Sequence, residues 1–264
     1  MNKAMSGACA VGIVIVDGPV GSAAQFTPAE RADVILGFSH GWDRLYSLAA
    51  KFAPAPSHLL LLPEVTFVEL ALDPTTIPAP TSAHPGASDY STRETPWRDA
   101  ALTAMGYRTG LAGIAAHNQH LLKKTWAVDV TATSAYVAFV TKYRTAWMGY
   151  TNAHDAYMVI QHQWVSRAGD LEVSGAPGWG VDWPNVVAHE TGHIFGAPDE
   201  YAPCSSTSHW GVLGAANGNC EVSPIGGTSV PCLMAHNTLD ACAYTQQHFG
   251  WVDADANGVL DVTP

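Results

Sequence analysis

The segment His189-Glu190-Thr191-Gly192-His193 holds the chain's most concentrated chemistry. Two histidines four apart on a helix lie on one face, one turn apart, so both imidazoles can take a single Zn²⁺ at about 2.0–2.1 Å. Glu190, next to the first of them, would stand beside the metal as a general base instead of ligating it. The flanks fit a helix. Asp182-Trp183-Pro184 supplies an N-cap followed by proline in the first turn, so the helix should begin near residue 183. Gly196 falls three residues after His193, where a helix can stop on a left-handed residue, and the turn would carry Asp199 back toward the open side of the metal. Two helical histidines are more often plain polar or packing residues, and a bare His-Glu-x-x-His match arises by chance in roughly 1–2% of chains of this size. Gly196 and Asp199 in register lower that chance by a further factor of about a hundred. Glu200 stands beside Asp199 as a competing third ligand.

Something must hold that helix in place. Val11–Val16 reads as a buried strand stopped by Asp17-Gly18-Pro19, not as a signal-peptide core, since no small-residue cleavage site follows. Thr27-Pro28-Ala29-Glu30 is a capping box opening a helix to about Phe52. Residues 59–72 are β-prone, with Pro63 expected to break them or make a bulge. Residues 73–95 read as a long Pro/Thr/Ser-rich surface loop, 97–105 and 111–124 as helices, and 136–142 and 157–161 as strands. Residues 169–180 form a Gly-rich connection. Strands mixed with helices up to residue 195, then an irregular tail, indicate an α+β or α/β upper half and a loop-rich lower half.

The pattern His189-Glu190-x-x-His193-x-x-Gly196-x-x-Asp199 resembles the extended zinc signature of the metzincin metallopeptidases. Most families of that clan carry a third histidine where this chain has Asp199; snapalysin-type members carry aspartate. Asp199-Glu200-Tyr201 is similar to the Asp-Glu-Tyr of bacterial IgA-peptidase-like members, and Cys232-Leu233-Met234-Ala235 fits the clan's methionine turn beneath the zinc. The resemblance implies an α+β fold with a mixed, mostly parallel five-stranded sheet and the active-site helix in an N-terminal subdomain. A small irregular C-terminal subdomain would carry the third ligand and the Met-turn, with substrate peptide along an edge strand. The expected divisions are 1–196, 197–252 and a terminal 253–264 segment. Some members place a tyrosine hydroxyl two residues after the turn methionine; here that position is His236, read equally as an oxyanion-stabilising group or as packing.

Other features bound the rest. Cys204, Cys220, Cys232 and Cys242 cluster in a Gly/Ser/Asn-rich stretch with no close Cys-x-x-Cys pair, which favours disulfides over a structural zinc. The shortest loops pair Cys204 with Cys220 and Cys232 with Cys242, leaving Cys9 free. Asp253, Asp255, Asn257, Val259 and Asp261, with Gly258 at the sixth position, match a Ca²⁺ loop, although Pro264 stands where an acidic twelfth residue belongs; a polar linker is the other reading. The chain has 264 residues, with 47% hydrophobic and only 13% charged. Twelve Lys+Arg face 23 Asp+Glu, a net charge of −11 that repels nucleic acid and anionic lipid. No apolar run is long enough to span a membrane. These features lead to the expectation of a secreted, monomeric zinc endopeptidase acting on protein or peptide. The alternatives are a secreted binding or adhesion module with a structural metal and a metal-dependent amidase.

Overall fold

The computed structural model describes residues 3–78, 87–126, 130–143, 148–162, 183–222 and 229–262. The chain is α+β and falls into two compact units that interleave in sequence: residues 9–36 with 62–167, and residues 1–8, 37–61 and 168–264. The helix over residues 183–194 falls in the second of these units.

The first unit is built on a five-stranded sheet in the order β2-β1-β3-β5-β4, with β1 Ala8–Asp17, β2 Leu60–Glu69, β3 Ser134–Thr141, β4 Gly149–Asn152 and β5 Tyr157–Gln161. β1–β3 and β3–β5 pair in parallel and β4 runs antiparallel to β5, so the sheet is mixed. β1 is buried at every position, which is why it reads as an unbroken apolar run instead of an alternating one. Val14, Val16, Val137, Phe139 and Val159, alternate residues on neighbouring strands, pack with Trp97, Ala101, Leu102 and Ile114 of helices α2 (Ala87–Ala104) and α3 (Gly110–Lys123).

Two expectations change here. β2 runs through Pro63 without interruption, because β2 is one of the sheet's two outer strands and Pro63 is exposed, so its missing N–H breaks no ladder bond. Part of the expected 73–95 loop is ordered structure: Pro74–Thr76 is a 3₁₀ turn capped by Asp73, and α2 starts ten residues before Trp97. Its buried stripe of Tyr90, Glu94, Trp97, Arg98 and Ala101 contains charged residues, which hid the helical period from a hydrophobicity reading. The capping box forms as expected at the start of α1 (Pro28–Phe52): Thr27 N donates to Glu30 Oε2 at 2.6 Å and Glu30 N to Thr27 Oγ1 at 3.2 Å.

In the second unit, α4 (Trp183–Ile194) is buried along its first ten residues. It packs close against α1 because Gly37 and Gly41, one turn apart, leave room: a Cβ on Gly37 would lie 2.0 Å from the Trp183 ring, and one on Gly41 2.8 Å from the Pro184 carbonyl oxygen. Phe38 meets Trp183 edge to face at 5.3 Å, and Arg44 donates to Asn185 Oδ1. The tail adds a two-residue ladder of β6 (His209–Trp210) and β7 (Ala215–Ala216) and the short helices α5 (Leu233–His236) and α6 (Ala243–His248). No helix among the described residues is long and apolar enough to cross a membrane. Residues 169–180 and Asp182, expected as a Gly-rich connection and an N-cap, lie outside the described residues.

Candidate metal centre

α4 ends in a Schellman turn: Ala197 N bonds Gly192 O at 3.2 Å and Gly196 N bonds His193 O at 2.9 Å, with Gly196 at φ +90°, where a side chain would be strained. The turn reverses the chain and brings Asp199 over the face of α4 that carries His189 and His193. Asp199 Oδ1 lies 3.1 Å from His189 Nε2 and 3.2 Å from His193 Nε2. The rings are perpendicular with centroids 4.7 Å apart. Asp199 is held from behind, its carbonyl accepting from Asn217 Nδ2 at 2.9 Å.

The other ring nitrogens fix the tautomers. His189 Nδ1 donates to Leu233 O at 3.0 Å, and His193 Nδ1 donates to Ala197 O at 2.7 Å. Each neutral imidazole then turns the lone pair of Nε2 toward the carboxylate. Three acceptors facing one another need a cation between them. Ligand atoms at the corners of a tetrahedron with 2.0–2.1 Å bonds stand about 3.3 Å apart, close to the spacings here, so the two nitrogens and one carboxylate oxygen fit zinc. Without an ion, a proton fills the gap. Burial works against charge on His193, but the Asp199 carboxylate, its hydrogen bond and the Glu190 charge outweigh burial and push the imidazole up to about 9. Burial likewise opposes the Asp199 charge, and the two imidazoles overcome it, holding the carboxyl well below the ordinary range.

Glu190 is buried, and its charge acts on both His193 and Tyr201. Met234 is fully buried under α4 at Gly192, whose absent Cβ would lie 2.9 Å from the Met234 sulfur. The methionine thus packs against the turn of helix between the two histidines, and Leu233 beside it supplies the carbonyl that orients His189. Tyr201, which sequence reasoning gave no role, stacks on His189 with centroids 6.2 Å apart and hydrogen-bonds Asp199. Burial first, then the Asp199 and Glu190 carboxylates, keep its phenol protonated far above the ordinary tyrosine range. Its signal in the sequence was its place in the Asp199-Glu200-Tyr201 run, two residues after the aspartate.

Glu200 does not join this group. Its carboxylate turns inward, accepting from Asn219 Nδ2 at 2.6 Å and Thr245 Oγ1 at 2.7 Å. His236 Nε2 lies 3.2 Å from Glu221 Oε1, and His236 is not among the converging ligand atoms. Cys204 and Cys220 are joined and Cys9 is a buried thiol, as expected. Cys232 and Cys242 correct the expectation: they are unbonded buried thiols. Their sulfurs are held by hydrogen bonds, Cys242 Sγ donating to Glu200 Oε1 at 3.3 Å and Cys232 Sγ accepting from Cys242 N at 3.3 Å. In the terminal loop the carboxylates of Asp253, Asp255 and Asp261 converge, but they accept the loop's own amides: Gly258 N reaches Asp253 at 3.0 Å, Ala254 N reaches Asp261 at 3.2 Å, and Asn257 Oδ1 takes Val259 N at 2.8 Å. No family model, curated protein or solved structure matches the chain. Function is therefore read from the chemistry of the site itself.

Proposed function

We propose that the chain is a secreted zinc-dependent endopeptidase of metzincin type. The observation that carries the reading is the convergence of His189 Nε2, His193 Nε2 and Asp199 Oδ1, with both Nδ1 atoms committed to backbone carbonyls and an ionisable Glu190 beside them. Support also comes from Met234 beneath the ligand helix and from a mixed sheet with one antiparallel outer strand. The Cys204–Cys220 bridge is what an oxidising, extracellular setting favours.

Zinc held by these three residues supplies Lewis acidity toward a peptide carbonyl and toward water. The chain's own residues do the rest. Glu190 takes the proton from the attacking water and returns it to the leaving amine nitrogen, a role worth about 10²–10⁴ in rate. Leu233 and Ala197 carbonyls keep both imidazoles in the ligating tautomer. Tyr201, through its bond to Asp199, holds the third ligand in place and covers the His189 ring. A structural metal would give no reason for a carboxylate at Glu190. The test is digestion of casein and of a peptide library, mapped by mass spectrometry. Activity should vanish with a chelator and return with zinc; bound zinc without hydrolysis would instead identify a binding module.

A further inference from the structure

We propose that Glu200, Cys232 and Cys242 form a second metal site, buried and structural, that takes a thiophilic divalent ion such as zinc. The two sulfurs and one carboxylate oxygen all lie within 4.8 Å of one another, and all three residues are buried. The Thr245 hydroxyl bounds the same space, 2.7 Å from Glu200 Oε1, 3.1 Å from Cys232 Sγ and 3.6 Å from Cys242 Sγ. The donor set is therefore two sulfurs and one carboxylate oxygen, with the Thr245 hydroxyl holding the carboxylate in place. That set suits zinc or cadmium and not calcium or magnesium, which prefer six or more oxygens.

The surroundings are arranged as they are around ligands. Each sulfur accepts a backbone N–H, Cys232 from Cys242 at 3.3 Å and Cys242 from Thr245 at 3.4 Å, which is how a protein supports thiolate charge. Glu200 Oε2 is anchored by Asn219 Nδ2 at 2.6 Å, which leaves Oε1 facing the sulfurs. Asn219 is itself fixed by Val230, whose N–H it accepts at 2.8 Å and whose carbonyl it reaches at 3.0 Å. The structure closes the Cys204–Cys220 pair but leaves these two sulfurs side by side and unbonded. Glu200 N also donates to Met234 O at 3.0 Å, so an ion here would tie the segment carrying Asp199 to the turn carrying Met234 and to the start of α6. The proposal stands on this cluster and does not depend on the peptidase reading.

The test begins by counting thiols in the denatured full-length protein without added reductant. Three are expected (Cys9, Cys232 and Cys242); a single thiol would mean the pair is a disulfide and would overturn the proposal. Cobalt(II) titration of the folded chain follows. A thiolate-to-cobalt charge-transfer band in the near ultraviolet is expected, which the nitrogen and oxygen ligands at His189, His193 and Asp199 cannot produce. Cys232→Ser with Cys242→Ser should abolish the band and retain one cobalt per chain. His189→Ala with His193→Ala should retain the band with one cobalt, and this variant decides the matter should the cysteine variant not fold. A band in wild type with a single bound cobalt would refute the histidine site and leave this one standing. Three thiols with no band, or a band that survives the cysteine replacements, would overturn it.

Discussion

Zinc binding at His189, His193 and Asp199 should be a proton-for-metal exchange. In the metal-free protein, burial opposes the His193 charge and Asp199 more than compensates, so the imidazole titrates near 9. At pH 7 it lies two units below that value and carries its proton, which zinc must displace from Nε2. Two units correspond to about 2.7 kcal/mol, or about a hundredfold weaker zinc binding at pH 7 than above pH 9. Between pH 7 and 9 the apparent affinity should rise about tenfold per unit and then level off. Competition against a chromophoric chelator, corrected for its own protonation, measures this directly. Calorimetry in buffers of different ionisation enthalpy counts the proton released. Stability of the metal-free protein should run the other way. A histidine raised from 6.5 to about 9 on folding contributes stability that is whole below pH 6.5 and lost as pH rises through 9. Asp199, held low, contributes through the same ion pair, and its part is lost only as acid titrates it. Asp199→Asn removes the partner and should flatten the pH 7–9 rise. A wild-type affinity that does not change between pH 7 and 9 would mean that zinc displaces no proton from His193.

Other outcomes follow from the same geometry. Gly41→Ala places a methyl 2.8 Å from the Pro184 carbonyl and the Val187 Cβ; overpacking of about 1–3 kcal/mol against up to about 1 kcal/mol of helix propensity should give a lower Tm by thermal melt. Asp199→Ala removes one of three direct ligands and should lose most of the metal bound at the histidines. Glu200→Gln should leave that binding intact, as competition titration would show. His236→Phe should cost under about 1 kcal/mol of stability through loss of its pair with Glu221, with kcat per bound zinc changed less than about threefold.

What could be read from residues alone was local. The Thr27–Glu30 box, the apolar run of β1 up to Val16 and the Gly196 stop are governed by contacts within a few positions, and each is where the pattern put it. The convergence of His189, His193 and Asp199 was legible for the same reason, since helix pitch and one left-handed residue set its geometry. What escaped depended on distant partners. Glu94 and Arg98 are buried in α2, where Glu94 takes the Tyr150 hydroxyl and Arg98 reaches Tyr157, so a hydrophobicity pattern shows a loop instead of a helix. Pro63 is harmless only because β2 ends up outermost. That Asp199 and not Glu200 approaches the two histidines rests on Asn219 and Thr245, 19 and 45 positions from Glu200, which draw Glu200 inward. Loop length alone also pointed to a Cys232–Cys242 bond, because it cannot register that Cys242 Sγ comes to donate to the Glu200 carboxylate instead.

The proposed mechanism has Glu190 act as the base beside a metal held by His189, His193 and Asp199. Its most direct test is hydrolysis of a peptide library by zinc-loaded Glu190→Gln, with metal content measured on the same sample. Zinc should stay at the histidine site at the wild-type level while hydrolysis falls at least about a hundredfold. A zinc-loaded Glu190→Gln enzyme that cleaves as fast as wild type would contradict that mechanism.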